Sequence, residues 1–366
     1  MSKGKKICII ASSLGKGGAE KSSAQLSKML DHLGYDIFIV TVLDTIDYDY
    51  KGKLFNLGAL KNENDSFFGR IGRLVKFRKF LIKNEIDVII DNRSRVQAYR
   101  EFIISKFIYT VPVIYVIHNF KTSKVFTPYT WLNKLLYRNA YMTAVSDASR
   151  LKFKALYGIK RLKTIHNAFD FDAIRNAANA KVEPIDYRYV IFYGRLDDAH
   201  KNHKLLYDAY KLSKLPDEGV KLLVLGDGPD SEQLKKYVND IDLNDYIKFR
   251  GFEKNPYPYV KKSLFMILTS RYEGFPMVIP ETLSLGIPVV SVDCESGPRE
   301  ILKNGINGLL VENHSPEKLS EAFNLMISDD KLYHTCKSNA KEGVGSFSLK
   351  RIAHQWDELL REVQDE

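Results

Sequence analysis

Twice along the chain, short runs rich in Ile, Val and Tyr alternate with longer segments whose apolar residues recur at helical spacing. A run of about four to eight apolar residues has the length of a strand buried on both faces, and a helical segment between two such runs is the crossover that parallel strands require. The pattern restricts the chain to an α/β class with parallel sheets covered by helices. In the first half the predicted strands are Lys6–Ala11, Asp36–Leu43, Asp87–Asp91, Val113–His118, Tyr141–Ser146 and Thr164–Asn167, with helices over Ala19–Leu33 and Gly69–Lys83. Between Asp170 and Tyr187 the periodicity lapses into an Ala- and Asn-rich stretch, which reads as a linker. The alternation then restarts, with strands over Tyr189–Tyr193, Val220–Leu225, Ile247–Arg250, Leu264–Thr269 and Val289–Asp293, and helices near Leu205–Leu212, Ser231–Asn239 and Val278–Leu285. Two similar α/β domains are expected, over residues 1–175 and 176–348. A final amphipathic helix in 349–366 carries Ile352, Trp356, Leu359, Leu360 and Val363 at helical spacing and packs back on one or both of them.

A length of 366 residues suits two such domains. Lys plus Arg less Asp plus Glu is 55 − 45 = +10, so an anionic partner is favoured. Cys8, Cys294 and Cys336 are odd in number and match no metal or redox spacing, which fits a reducing compartment. The amino-terminal lysines are followed by an apolar run too short for a secretory signal, and it reads as a first strand. No window approaches the roughly 20 apolar residues needed to span a bilayer. The expected place is the cytoplasm, with peripheral contact at the inner face of the cell membrane as the other option.

Three segments carry chemistry. Gly15-Lys16-Gly17-Gly18 follows the first strand and opens the first helix, where glycines let backbone amides approach a phosphate. The spacing is not G-x-G-x-x-G and there is no Walker lysine and hydroxyl pair, so the loop alone is equally a tight turn. Tyr193-Gly194-Arg195 ends the first strand of the second half and Lys201-Asn202 precedes the next helix. This puts a guanidinium and an ammonium at the carboxyl edge of a parallel sheet, where such folds bind ligands. The sharpest feature is the run from Ser270 to Glu281, in which Glu273 precedes a Gly274-Phe275-Pro276 turn and Glu281 lies about two turns into the following helix. Carboxylates accept paired hydrogen bonds from sugar or ribose hydroxyls, and two at this spacing can serve separate parts of one long ligand. The competing reading, Glu281 facing solvent, is weakened by the core-facing pattern of Val278, Thr282 and Leu285.

The segment resembles the E-x7-E signature of retaining family 4 glycosyltransferases. The likeness extends in order through Gly17-Gly18-Ala19-Glu20, His118-Asn119, Val145-Ser146, Gly194-Arg195-Leu196, Lys201-Asn202, Gly226-Asp227-Gly228-Pro229, Gly251-Phe252, Gly286 to Val290 and Asn304 to Gly308. It implies the GT-B architecture, α/β with two Rossmann-like domains facing across a cleft. It implies an acceptor-binding first domain and a second domain that binds a nucleotide-sugar, with UDP as the leading nucleotide. Gly17 and Gly18 would approach the donor phosphates, Arg195 and Lys201 would grip the diphosphate, and Gly251 and Phe252 would border the base. Glu273, with the amides of Gly274, Phe275, Met277 and Val278, would hold the sugar. Glu281 would bind the ribose, and His118 would contact the sugar near the reacting carbon. Five residues, Leu196 to His200, separate Arg195 from Lys201, where many relatives have one fewer.

On this reading charge develops on both the ring and the departing diphosphate, and cations with backbone amides stabilise the anion. No Asp-x-Asp stands where it would chelate a metal on the diphosphate, since Asp47-Tyr48-Asp49 lies in a connection. No metal and no other cofactor are expected. The resemblance implies an acceptor that is a glycan or lipid-linked molecule of bacterial surface polysaccharide, lipopolysaccharide or capsule synthesis. The basic amphipathic segment Gly69–Lys83 can lie on an anionic membrane or simply pack on the first sheet, and Arg93, Arg95, Arg100, Lys121 and Lys124 add positive charge suited to a phosphorylated acceptor. Competing readings are an inactive sugar-nucleotide-binding partner subunit and a nucleotide-sugar epimerase of the same architecture. Nucleic-acid binding lacks a reader motif, and oxidoreduction lacks a dinucleotide fingerprint with its acid after the second strand.

Overall fold

A computed structural model describes residues 4–15, 17–63 and 65–364. The chain divides into two compact units, Met1–Ala168 with Leu349–Glu366, and Phe169–Ser348.

The first unit is built on seven parallel strands: β1 (Lys6–Ala11), β2 (Asp36–Thr41), β3 (Lys53–Asn56), β4 (Val88–Asp91), β5 (Val113–Ile117), β6 (Tyr141–Ala144) and β7 (Arg161–Thr164). Their order in the sheet is β3-β2-β1-β4-β5-β6-β7. The order reverses between β1 and β4, which makes the carboxyl ends of β1 and β4 a topological switch point. β3 was not predicted. It is an edge strand of four residues whose Lys53 and Asn56 ends mask the apolar pair Leu54 and Phe55. β7 lies three residues before the expected Thr164–Asn167, because Arg161 to Thr164 pair with Tyr141 to Ala144 and the chain leaves the sheet after Thr164. On one side Cys8, Ile10, Phe38, Val40 and Ile89 form a core with Phe77 and Leu81 of the helix Phe67–Lys83. The terminal helix Leu349–Gln364 belongs to this unit. Its predicted apolar set is buried, it packs against the helix Gly18–His32, and the Tyr35 hydroxyl donates to Asp357 at 2.7 Å.

The second unit holds six parallel strands: β8 (Tyr189–Tyr193), β9 (Lys221–Leu225), β10 (Ile247–Gly251), β11 (Met266–Leu268), β12 (Val289–Val292) and β13 (Gly308–Val311). Their order is β10-β9-β8-β11-β12-β13, so the switch point lies beside β8 and β11. The stretch expected to be a linker contains the helix Phe171–Ala177, whose first turn is capped by Asp170 accepting from the Ala173 amide at 2.9 Å. That helix packs on the helices Tyr257–Lys262 and Val278–Ser284, and Asn255 donates to Ala177 O at 2.8 Å. These contacts draw the segment into the second unit, and the division falls between Ala168 and Phe169 rather than between residues 175 and 176. β13 was also unpredicted, since Gly308 and its short length weaken the strand signal.

Candidate active site

In the second unit three adjacent strand ends are stitched together. After β8, Gly194 N donates to Leu225 O and Leu196 N to Asp227 O, both at 3.0 Å, and Gly226 N donates to Gly251 O at 2.6 Å. Glycine is required at Gly226, where φ is +143° and a Cβ would stand 1.8 Å from Gly194 O. The result is a fixed rim at the carboxyl edge of the sheet that carries Arg195 and Gly251. The Arg195 side chain is exposed and makes no ion pair among the described residues. Phe252 follows on an exposed turn.

The segment from Arg195 to Lys201 ends in a short helix, Asp198–Lys201, capped by Asp197 accepting from the His200 amide at 3.3 Å. The segment is tied down further. Thr269 Oγ1 donates to Lys201 O at 2.8 Å, Arg271 N donates to His200 O at 2.9 Å, and the His200 ring stacks on Tyr272 with Nε2 2.8 Å from Tyr272 O. The longer loop thus delivers Lys201 in place. Its Nζ donates to Glu273 Oε1 at 2.6 Å. Glu273 is buried, and burial alone would raise its carboxyl; the Lys201 ammonium, through its charge and its hydrogen bond, outweighs that and holds it below the usual range. Burial and Lys201 lower His200, and burial takes His203, whose Nε2 is 3.2 Å from Arg195 O, down to about 4, so both rings are neutral at pH 7.

Glu281 is buried in the first turn of the helix Val278–Ser284 instead of two turns in, because that helix starts only at Val278. Solvent exposure of this carboxylate is thereby ruled out. The Tyr193 hydroxyl sits 2.9 Å from Val278 O, 3.0 Å from Thr282 Oγ1 and 3.4 Å from Glu281 Oε2. Burial and the neighbouring Glu281 push that phenol well above its ordinary value, so it remains a hydroxyl. The Gly274-Phe275-Pro276 turn is held from behind. Ser296 Oγ donates to Gly274 O at 3.2 Å, and Gly297 (φ +99°) admits Pro276 where a Cβ would meet its Cδ at 2.4 Å. Phe275 points inward against Phe347, centroids 5.2 Å apart, so it offers its backbone and not its ring, while Met277 precedes and Val278 begins the helix. Glu273, Glu281, Lys201 and Arg195 therefore all belong to loops and helix starts beyond β8 and β11.

In the first unit Gly17 caps and Gly18 opens the helix Gly18–His32; Lys16 lies outside the described residues. A Cβ at Gly17 would stand 2.2 Å from Glu20 Oε2. His118 stands just past β5 with Nε2 2.8 Å from Asn92 Oδ1, just past β4. Burial, aided by the Arg95 charge, takes its pKa down to about 4. His118 and Asn92 line a cavity together with Ser22, His166, Asn167 and Trp356. Asn92 Nδ2 is buried there without a hydrogen-bond partner among the described residues. Two of the cations expected to meet a phosphorylated acceptor do not do so. Arg93 is buried and forked onto Asp91 at 2.8 and 3.0 Å, with Glu101 at 3.2 Å. Arg95 is fully buried, donating to Arg93 O and Val116 O at 2.8 and 2.9 Å with the rings of Tyr115, Phe126 and Tyr137 around its guanidinium. Arg100 is half-buried against Glu101, and Lys124 is exposed.

Asn92, Tyr193 and the stacked pair His200 and Tyr272 escaped prediction as site residues. The one available signal was position, since Asn92 and Tyr193 lie at or just past the ends of predicted strands beside the switch points.

Comparison with known proteins agrees with this arrangement. Two family models match in tandem, Glycosyltransferase Family 4 over residues 16–173 and Glycosyl transferases group 1 over residues 174–343. A Campylobacter jejuni protein named N-acetylgalactosamine-N,N'-diacetylbacillosaminyl-diphospho-undecaprenol 4-alpha-N-acetylgalactosaminyltransferase is 28% identical over 364 residues, 95% of this chain and 97% of its own. The lipopolysaccharide 1,6-galactosyltransferase of Escherichia coli is 37% identical over 127 residues, 33% of this chain and 34% of its own. Among solved structures, Anabaena HepE in complex with UDP-glucose superposes with a TM-score of 0.77 at 21% identity, over 98% of this chain and 99% of that one. Staphylococcus aureus TarM in complex with fondaparinux, alpha-GlcNAc-glycerol and UDP gives 0.76 at 16% identity, over 97% and 99%.

Proposed function

The chain belongs to the family 4 glycosyltransferases, with a group 1 glycosyltransferase module as its second half, and from that membership we propose a retaining transfer of a hexose or N-acetylhexosamine from a UDP-sugar to a glycan or lipid-linked acceptor of the bacterial cell surface. The observation that carries this reading is the contact of Lys201 with Glu273 next to a buried Glu281, all at one switch point. The named activities of the Campylobacter and Escherichia relatives support an acceptor that is lipid-linked or lipopolysaccharide, and the UDP in related structures supports the donor. The setting is the cytoplasmic side of the membrane that bears such an acceptor.

The chemistry follows from charge. As the anomeric C–O bond breaks, negative charge gathers on the diphosphate, where Arg195 and Lys201 serve it in place of a divalent cation. Glu273 orients the sugar through its hydroxyls and Glu281 takes the ribose. The acceptor hydroxyl forms its bond to the anomeric carbon on the face the diphosphate leaves, and a phosphate oxygen accepts the hydroxyl proton. Configuration is retained and no protein nucleophile is needed.

The test is a panel of UDP- and GDP-sugars with diphosphate release as the readout, in the presence and absence of EDTA. Release from a UDP-sugar that survives EDTA and falls in Lys201→Ala and Glu273→Ala is expected. Full activity in both variants, an inverted product, or rescue by manganese after EDTA would overturn the proposal.

A further inference from the structure

The helix Phe67–Lys83 carries two apolar faces. Phe77 and Leu81 are buried, with Leu74 and Phe80 packed beside them on the core. On the opposite side Phe68, Val75 and Ile82 recur every seven residues, with Ile71 alongside, and all four are exposed. Phe67 and Phe68 at the amino-terminal tip are 70% and 81% exposed. Lys76, Lys79 and Lys83 flank this outer row and form no ion pair among the described residues. On the other flank Arg78 Nε donates to Phe107 O at 3.0 Å, which brings a second exposed pair, Phe107 and Phe102 (centroids 6.4 Å apart), onto the same surface. No acidic residue occurs between positions 67 and 83. Asp65, just before the helix, pairs with Arg70 and Arg73.

An outward apolar row rimmed by uncompensated cations calls for a partner that is apolar in depth and anionic at its surface. A second copy of the chain meeting this face symmetrically would set cations against cations. A nucleic acid would leave Ile71, Val75 and Ile82 without a use. We propose that this face docks the protein on an anionic lipid bilayer, with Phe67 and Phe68 entering the acyl boundary and Lys76, Lys79 and Lys83 seated among the phosphate headgroups. The surface shares no residue with the donor site, so the proposal stands or falls separately from the choice of sugar.

Co-sedimentation of the full chain with vesicles of phosphatidylcholine alone, or with phosphatidylglycerol added, tests it. Binding is expected only to the anionic vesicles and weakens with salt. At about fivefold per cation, Lys76→Glu/Lys79→Glu/Lys83→Glu lowers partitioning at least a hundredfold. Phe67→Ser/Phe68→Ser, which alters only exposed side chains, lowers it at least tenfold. Diphosphate release from a soluble donor stays at the wild-type rate in both variants. No wild-type binding, equal binding by the variants, or a dimer that the serine variant dissolves without any vesicle binding would overturn the assignment.

Discussion

Lys201 Nζ lies 2.6 Å from Glu273 Oε1, and the pair links the loop after β8 to the loop after β11 with little exposure on either side. Breaking one half of such a pair leaves a buried charge without its counter-ion, which costs about 3–5 kcal/mol in comparable cases. Lys201→Ala is therefore expected to destabilise the second unit more than Glu273→Gln, which leaves a neutral amide for Lys201 to turn away from. Both are expected to lose about two to three powers of ten in transfer rate. The pH dependence has a definite sign. The folded Glu273 carboxyl is held low, so its contribution to stability is present above the unfolded value near 4.5 and is lost as pH falls through the folded one. Thermal unfolding from pH 7 to pH 3 checks this: the gap between wild type and Glu273→Gln should stay constant down to about pH 5 and then close.

Tyr193 offers a separation of binding from chemistry. Its hydroxyl braces Glu281 and the start of the helix Val278–Ser284 from beneath. Tyr193→Phe removes that brace at a cost of about 1–2 kcal/mol. With Glu281 on the ribose, the expected kinetic result is a donor KM raised several-fold and kcat nearly unchanged. Steady-state kinetics at varied donor decides it. A fall in kcat at constant KM would place the brace at the reacting carbon instead.

Much of this architecture was legible because buried parallel strands are continuous apolar runs, and eleven of the thirteen described strands are expected on that ground, β7 three residues away from where it lies. β3 and β13 did not. One is an edge strand with polar ends and the other opens on a glycine, so neither presents the run that burial on two faces demands. The helix Phe171–Ala177 hid because its stability comes from the Asp170 cap and from packing of Ile174, neither of which is a periodic signal. In the site, Glu273, Glu281 and Lys201 could be found from local sequence, since Glu273 lies on the turn and Lys201 and Glu281 on the short helices that follow predicted strand ends. Arg93 and Arg95 misled for the opposite reason: their partners Asp91, Glu101 and the carbonyl of Val116 are brought in by the sheet, and a one-dimensional reading sees only exposed-looking charge.

Gly226→Ala tests the rim that fixes Arg195. The added methyl would stand 1.8 Å from Gly194 O at a φ of +143°, so a backbone and not a flexible side chain must yield. The expected outcome is a loss of about 3 kcal/mol or more in the second unit together with weakened donor binding. The control Gly219→Ala also sits at positive φ, +65°, but meets nothing within 4 Å. Its cost should be confined to backbone strain, about 1 kcal/mol. Denaturant unfolding of the two variants side by side gives the comparison, and equal effects would remove the clash as the cause.

His118 and Asn92 make the pH behaviour of the first unit predictable. With a folded value near 4 against about 6.5 when unfolded, His118 disfavours its proton in the native state. The unfolded chain then binds more protons between those limits, so stability is full above about pH 6.5 and declines as pH falls toward 4. His203 imposes the same window on the second unit, and His118→Gln should flatten the slope of the first unit only. In the transfer reaction wild type should show no inflection from His118 between pH 5 and 9. Asn92→Asp replaces the amide oxygen 2.8 Å from Nε2 with a carboxylate, which favours the imidazolium and should raise the ring's pKa toward neutral pH. The His118 resonance in a proton NMR titration would then move at least one unit upward, and a new limb would enter the rate profile at the same pH. An unchanged titration in Asn92→Asp would mean that the amide only fills space beside the ring.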